Sequence, residues 1–210
     1  MVAAIARIVA AVDIPVTADI ESGYGPDPTD IKVTTTALIQ AGAVGANLED
    51  SRPDTGALHA IAAQTERLRA ARDAADGAGL HGFVLNARTD VFLTGMGDTP
   101  EDRLRVTADR ASAYAQAGAD VVFVPGLVDL PLLARVVDAS PLPVNVMAVP
   151  GGPTVAEFAR VGVARVSLGT GLAQAAYTAA HQTARNLLTH GTFAPSSPLL
   201  DYPDMNALVR

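Results

Sequence analysis

An α/β domain assembled from repeated β–loop–α units is the fold this sequence predicts, on three observations. Short apolar runs alternate with longer stretches rich in Ala, Leu, Arg and Glu. Most of the short runs are continuously apolar, the pattern of strands buried on both faces of a parallel sheet. A small motif also recurs. Ala41-Gly42-Ala43, Ala117-Gly118-Ala119 and Val161-Gly162-Val163 each stand where a helical stretch gives way to a strand, with glycine at the helix-terminating position that takes left-handed geometry.

The elements follow in order. Met1 to Val12 reads as a helix; Arg7 interrupts its apolar run and no basic segment precedes it, so it does not read as a signal peptide. Val16–Ile20 is the first strand, and Asp27-Pro28 opens the helix after it. Val44–Leu48 and Phe83–Asn86 are the next strands. Asp98-Thr99-Pro100-Glu101 supplies a cap and a proline just inside a helix that leads to the strand Val121–Val124. Val144–Met147 follows, then a helix start at Pro153-Thr154, then the strand Arg165–Leu168. Leu172–Leu188 reads as a long last helix, ahead of a Pro/Ser-rich stretch at 194–198. No linker or composition break divides the chain, so a single domain over 1–210 is expected, ending in a helical segment over 172–210.

Such a series makes either a doubly wound sheet or a (β/α)8 barrel. No Gly-x-Gly-x-x-Gly follows the first strand, which weighs against the first. Polar residues gather at the C-terminal ends of several strands, where barrels carry their chemistry. Only six strands are countable, however.

Composition narrows the function. The 210 residues are 49% hydrophobic and 18% charged, a globular composition. The net charge of −7 argues against nucleic acid or an anionic membrane as partner. With no cysteine there is no disulfide, thiolate metal site or cysteine nucleophile. Lys32 is the only lysine and falls in a helix, a poor place for a Schiff base.

Asp19 and Glu21 end the first strand; side chains at i and i+2 of a strand share a face, and paired carboxylates suit Mg²⁺ or Mn²⁺. Glu49, Asp50, Asn86, Arg88 and Asp90 follow other strands. Asp50 reads equally as a turn cap, and Asp90 as a residue that orients Arg88. Asn86 and Asn145 read either as facing into the barrel or as satisfying loop backbone.

Thr17-Ala18-Asp19-Ile20-Glu21-Ser22-Gly23-Tyr24-Gly25, Gly45-Ala46-Asn47-Leu48-Glu49-Asp50 and Asn86-Ala87-Arg88-Thr89-Asp90 together resemble the isocitrate lyase/phosphoenolpyruvate mutase superfamily. The resemblance implies a (β/α)8 barrel, Mg²⁺ as cofactor with Mn²⁺ as a substitute, and a small 2-oxo or 2-hydroxy acid as substrate. It implies a lyase or hydrolase that breaks a C–C or P–C bond through an enolate. By motif, Asp19 is the direct metal ligand and Glu21 and Glu49 hold the metal through water. Arg88 binds the substrate carboxylate or phosphonate, with Asn86, Gly23, Tyr24 and Asn145 as further substrate contacts. Arg88, Glu49 and the loop residue His59 are the candidate catalytic groups. The resemblance also implies a cytoplasmic homo-dimer or homo-tetramer.

Two departures shape the expectation. Where lyases of this family carry Lys-Lys-Cys-Gly-His or Lys-Arg-Cys-Gly-His, this chain reads Ser51-Arg52-Pro53-Asp54-Thr55-Gly56-Ala57-Leu58-His59; this speaks against isocitrate and methylisocitrate cleavage. The resemblance also implies two strands ahead of Val16–Ile20, so the expected architecture is an N-terminally truncated barrel of about six β/α units plus C-terminal helices. A catalytically inactive barrel serving as an oligomerisation or binding remnant is the alternative function.

Overall fold

Six parallel strands lie side by side in chain order, β1 (Thr17–Asp19), β2 (Gly45–Glu49), β3 (Val84–Arg88), β4 (Val121–Phe123), β5 (Val144–Met147) and β6 (Arg165–Ser167), in a computed structural model that describes residues 1–195 and 198–208. The expected Pro/Ser-rich stretch at 194–198 includes two residues, 196 and 197, outside the described ones. A doubly wound sheet reverses its strand order at a switch point. This sheet never does, so its units are consecutive β/α units of barrel type.

The chain packs as two compact units, Met1–Ser167 and Leu168–Arg210. The first holds the sheet with helices α1 (Val2–Ala11), α2 (Pro28–Gln40), α3 (Ile61–Gly77), α4 (Val91–Thr94), α5 (Pro100–Gln116), α6 (Leu130–Ala139) and α7 (Val155–Arg160). The second holds α8 (Gly171–His190) and α9 (Tyr202–Ala207), with a shallow apolar groove of about 380 Å³ formed by Ala180, Ala184, Leu187, Phe193 and Leu199.

The helix boundaries follow their caps. Thr99 Oγ1 accepts from Asp102 N at 3.1 Å, ahead of Pro100 in α5. At α7, Thr154 Oγ1 accepts from Glu157 N while Glu157 Oε2 accepts from Thr154 N, a capping box. Gly42, Gly118 and Gly162 carry φ of 90°, 90° and 87°, the left-handed turn that lets each helix run straight into the next strand.

The strands differ from expectation in one informative way. β2 and β3 extend to Glu49 and Arg88, whereas β1 stops at Asp19. The register aligns Asp19, Asn47, Asn86 and Val121 in one row, and Glu49, Arg88, Phe123, Asn145 and Arg165 in another. Because strand side chains alternate, the intervening row, Leu48, Ala87, Val122 and Val144, faces the opposite way, toward the helices, and is buried. It joins Ile20, Ile31, Leu38, Leu68 and Phe83 in one core cluster, and Leu133, Val136, Val146 and Phe158 in another. Each such fully buried aliphatic side chain contributes about 1.5–3 kcal/mol. The helices thus hold one face of the sheet, and the polar rows occupy the other.

Candidate active site

The first row is a chain of hydrogen bonds across three strands. Asn86 Nδ2 donates to Asn47 Oδ1 at 3.0 Å, and Asn47 Nδ2 donates to Asp19 Oδ1 at 3.0 Å. The same Asp19 oxygen accepts from the backbone N–H of Glu21 at 2.9 Å. One carboxylate oxygen of Asp19 is thereby pinned, while Oδ2 accepts from none of the described groups.

The second row centres on Arg88. Its Nε and Nη2 donate to the two oxygens of Asp90 at 2.6 and 3.0 Å, and its Nη1 lies 2.9 Å from Glu49 Oε2. Glu49 Oε1 accepts from Ser51 Oγ at 2.8 Å. Burial alone would lower the Arg88 guanidinium, but the Asp90 bonds and the charges of Asp90, Glu49 and Asp19 outweigh it and hold it above its ordinary range. Burial pushes the Glu49 carboxyl up, against the bond from Ser51 and the charge of Arg88. Asp90 and Glu49 bond this guanidinium and Asp19 acts on it by charge, so three carboxylates stand against Arg88.

Buried atoms without partners lie on the same face. Among the described residues Asn86 Oδ1 and Asn145 Nδ2 find none, although Asn145 Oδ1 accepts from Ser167 Oγ at 3.1 Å. A buried polar atom left unpaired costs free energy, and one acceptor with one donor on the face of the carboxylates suits a small polar ligand. Among the described residues no three acidic or histidine side chains enclose an ion by themselves. One carboxylate with a free oxygen, aided by others through water, is nevertheless a donor set that Mg²⁺ accepts. The hard oxygen donors and the local excess of negative charge fit such an ion.

Glu21 departs from expectation. It lies in the turn beyond β1 with φ of 50°, not on the strand face beside Asp19. Tyr24 also takes a positive φ, 60°, and its hydroxyl lies 3.4 Å from Glu21 Oε1. Two non-glycine residues in left-handed backbone within one loop mark stored strain. Gly23, φ 88°, separates them; its N–H donates to Ile20 O and its carbonyl accepts from Thr34 Oγ1. A Cβ at Gly23 would stand 2.1 Å from Ile31 Cδ1, so its main chain serves the turn and its missing side chain admits Ile31.

Glu21 and Tyr24 meet His59 around a cavity of about 540 Å³, together with Arg52, Pro53 and Arg67. His59 belongs to the loop after β2, closed by a bridge between Ser51 and Leu58. Burial, then the charges of Arg67 and Arg52, hold its imidazole below its ordinary range. It shares the cavity with Glu21 and forms no bond to Arg88 or Glu49.

Asp50 is fully buried and structural. Its Oδ2 accepts from Arg110 Nη1 at 2.9 Å and Tyr114 Oη at 2.7 Å, and its Oδ1 from the N–H of Asp90 at 2.9 Å. It therefore fixes the residue that holds Arg88.

The profile of the phosphoenolpyruvate phosphomutase family matches residues 1–188. This chain belongs to the phosphoenolpyruvate mutase/isocitrate lyase superfamily. It is 34% identical to an uncharacterized protein of Mycobacterium tuberculosis over 97% of this chain and 72% of that one. It superposes with a TM-score of 0.81 on a Burkholderia cenocepacia structure provisionally named a phosphonomutase, at 48% identity, covering 91% of this chain and 75% of that one. A phosphonopyruvate hydrolase solved with oxalate and Mg²⁺ is 25% identical, with a TM-score of 0.77 over 99% of this chain and 72% of that one. The superfamily comprises Mg²⁺-dependent lyases and hydrolases of C–C and P–C bonds. Among the described residues no helix is long and apolar enough to cross a membrane.

Sequence reasoning missed several contributors. Asn47 bridges Asp19 to Asn86, and its signal was available: it precedes Glu49 by two residues, as Asn86 precedes Arg88. Ser51, Gln64 and Arg67 carried none; the last two sit in a run that reads as solvated helix.

Proposed function

We propose that this chain is a Mg²⁺-dependent lyase or hydrolase of a small 2-oxo or 2-hydroxy carboxylate or phosphonate. It breaks a C–C or P–C bond through an enolate. The observation that carries this reading is the seating of Arg88. Asp90 takes two of its five N–H donors and Glu49 one, leaving one on each terminal nitrogen for a substrate anion. Asp90 fixes the plane of the guanidinium, so its charge is aimed before substrate arrives. Asn86 Oδ1 and Asn145 Nδ2 supply an acceptor and a donor on the same face.

Asp19 would hold Mg²⁺ directly, and Glu21 and Glu49 through water; the ion when bound supplies positive charge where the substrate oxygen becomes negative. His59, whose imidazole is held below its ordinary range by burial and by the charges of Arg67 and Arg52, would take or return a proton from the cavity it shares with Glu21. Tyr24 closes the cavity beside Glu21. The loop lacks the lyase cysteine, so its proton chemistry falls to His59 or to the substrate's own hydroxyl.

Turnover of oxaloacetate, phosphonopyruvate and substituted malates with Mg²⁺, for wild type and Arg88→Ala, tests this. One substrate turned over by wild type, and lost with the arginine, supports it. No turnover together with no Mg²⁺ affinity turns the assignment to a non-catalytic binding or oligomerisation remnant.

A further inference from the structure

Arg67 is 1% exposed, yet among the described residues its guanidinium meets no carboxylate. Nη1 donates to Gly25 O at 3.0 Å and Pro26 O at 2.8 Å, and Nη2 donates to Ser22 O. Nε donates to Gln64 Oε1 at 3.1 Å, and Gln64 Nε2 donates to Glu49 O at 3.2 Å. Burial lowers this guanidinium's affinity for its proton, with Asp30 and Asp27 opposing from a distance. A buried cation facing only carbonyls is a costly arrangement. Removing it would leave the carbonyls of Ser22, Gly25 and Pro26 without this donor, so the guanidinium holds that loop in place.

Gln64 and Arg67 stand one turn apart on α3 and reach two different strand ends. One contact is on Glu49, the last residue of β2. The others are on the loop that begins directly after Glu21 and carries the left-handed Tyr24. We infer that Gln64 and Arg67 form a positioning clamp that sets the Glu21 loop against the end of β2 and so fixes the spacing of the carboxylates that hold the metal. The inference rests on the Mg²⁺ reading given above. Arg67 and Gln64 act through Glu21 and Glu49, without touching substrate.

Mn²⁺ binding, followed by electron paramagnetic resonance of the full chain, tests this. Arg67→Met and Gln64→Leu are expected to weaken Mn²⁺ about 10–100-fold, with Arg67→Lys restoring part of the loss. Both are also expected to raise hydrogen exchange at the Ser22 to Gly25 amides. Phe158→Leu, in the other core cluster, serves as control: matched loss of thermal stability with unchanged Mn²⁺ affinity separates positioning from general loosening. If Arg67→Met does not fold, Gln64→Leu carries the comparison. Affinity within about twofold of wild type in the folded variants overturns the clamp alone. Failure of wild type to bind Mn²⁺ overturns the Mg²⁺ reading and the clamp with it.

Discussion

Arg88 Nη1 lies 2.9 Å from Glu49 Oε2, so the cation that would hold substrate is already paired with a carboxylate that would face the metal. Each of the two would then have a competing duty. A cation drawn toward Glu49 would release one more donor on Arg88 Nη1 for a substrate anion, which would couple the two binding events. Glu49→Gln therefore acts in opposite directions. Mg²⁺ affinity is expected to fall about 10–100-fold. Metal-free oxalate affinity is expected to rise by about 1 kcal/mol, roughly fivefold, because a partly exposed pair of this kind is worth that much. Isothermal calorimetry reads both, and a fall in both sinks the coupling.

Asp90 holds Arg88 through two bonds and is itself held through its backbone N–H by Asp50. Asp90→Asn keeps the shape and removes the charge. Losing a charge-assisted bond costs about 1.5–3 kcal/mol. The expected result is a decrease of about 10–100-fold in kcat/KM, carried mainly by KM, with Mg²⁺ affinity little changed. A variant with normal KM would mean that Arg88 needs no fixed plane.

If Asp19 is the direct ligand, Mg²⁺ also stabilises the fold, because it binds the native state alone. At a concentration 100 times its Kd the gain is about 2.7 kcal/mol. Urea denaturation with and without Mg²⁺ is expected to show this for wild type and to show none for Asp19→Ala. Equal Mg²⁺ stabilisation of both would remove Asp19 from the metal site.

The parallel sheet, its glycine-terminated units and the carboxylates at strand ends were legible because they rest on local signals: period, caps and turn residues. Asp19, Glu49, Asn86 and Arg88 came with them, since strand register and alternation bring motif residues onto one face. Glu21 was misplaced because its left-handed turn, closed locally by Asp19 Oδ1 accepting from the Glu21 N–H, has no glycine at that position to announce it. Arg67 and Gln64 were illegible for a different reason. Arginine on an Ala-rich helix reads as solvated, and its burial follows from carbonyls some forty residues away in sequence. Asp50 was read equally as a turn cap and as a site residue; its burial against Arg110 and Tyr114 of α5 is a third arrangement, set by residues about sixty positions away.

That Asp50 network carries a stability prediction. Asp50 and Arg110 side chains are 0% and 4% exposed. Breaking one side of a buried pair costs about 3–5 kcal/mol, so Asp50→Asn is expected to lower the urea midpoint steeply. Tyr114→Phe removes one bond on each partner and is expected to cost about 1–3 kcal/mol. If either variant is as stable as wild type, the network contributes no net stability.

Tyr114 also sets a limit at alkaline pH. Burial, then the charge of Asp50, hold its phenol well above the ordinary value, against the opposing charge of Arg110. The unfolded chain ionises this group near pH 10, whereas the folded chain keeps it neutral. Its contribution is therefore fully present below the unfolded value and falls as pH rises past it toward the folded one. Stability is expected to drop above about pH 10 more steeply in wild type than in Tyr114→Phe. Spectroscopic titration is expected to show one of the chain's four tyrosines ionising only as the fold is lost. A phenolate that forms at Tyr114 while the near-ultraviolet circular dichroism stays native would mean that Asp50 tolerates a second negative charge in the core.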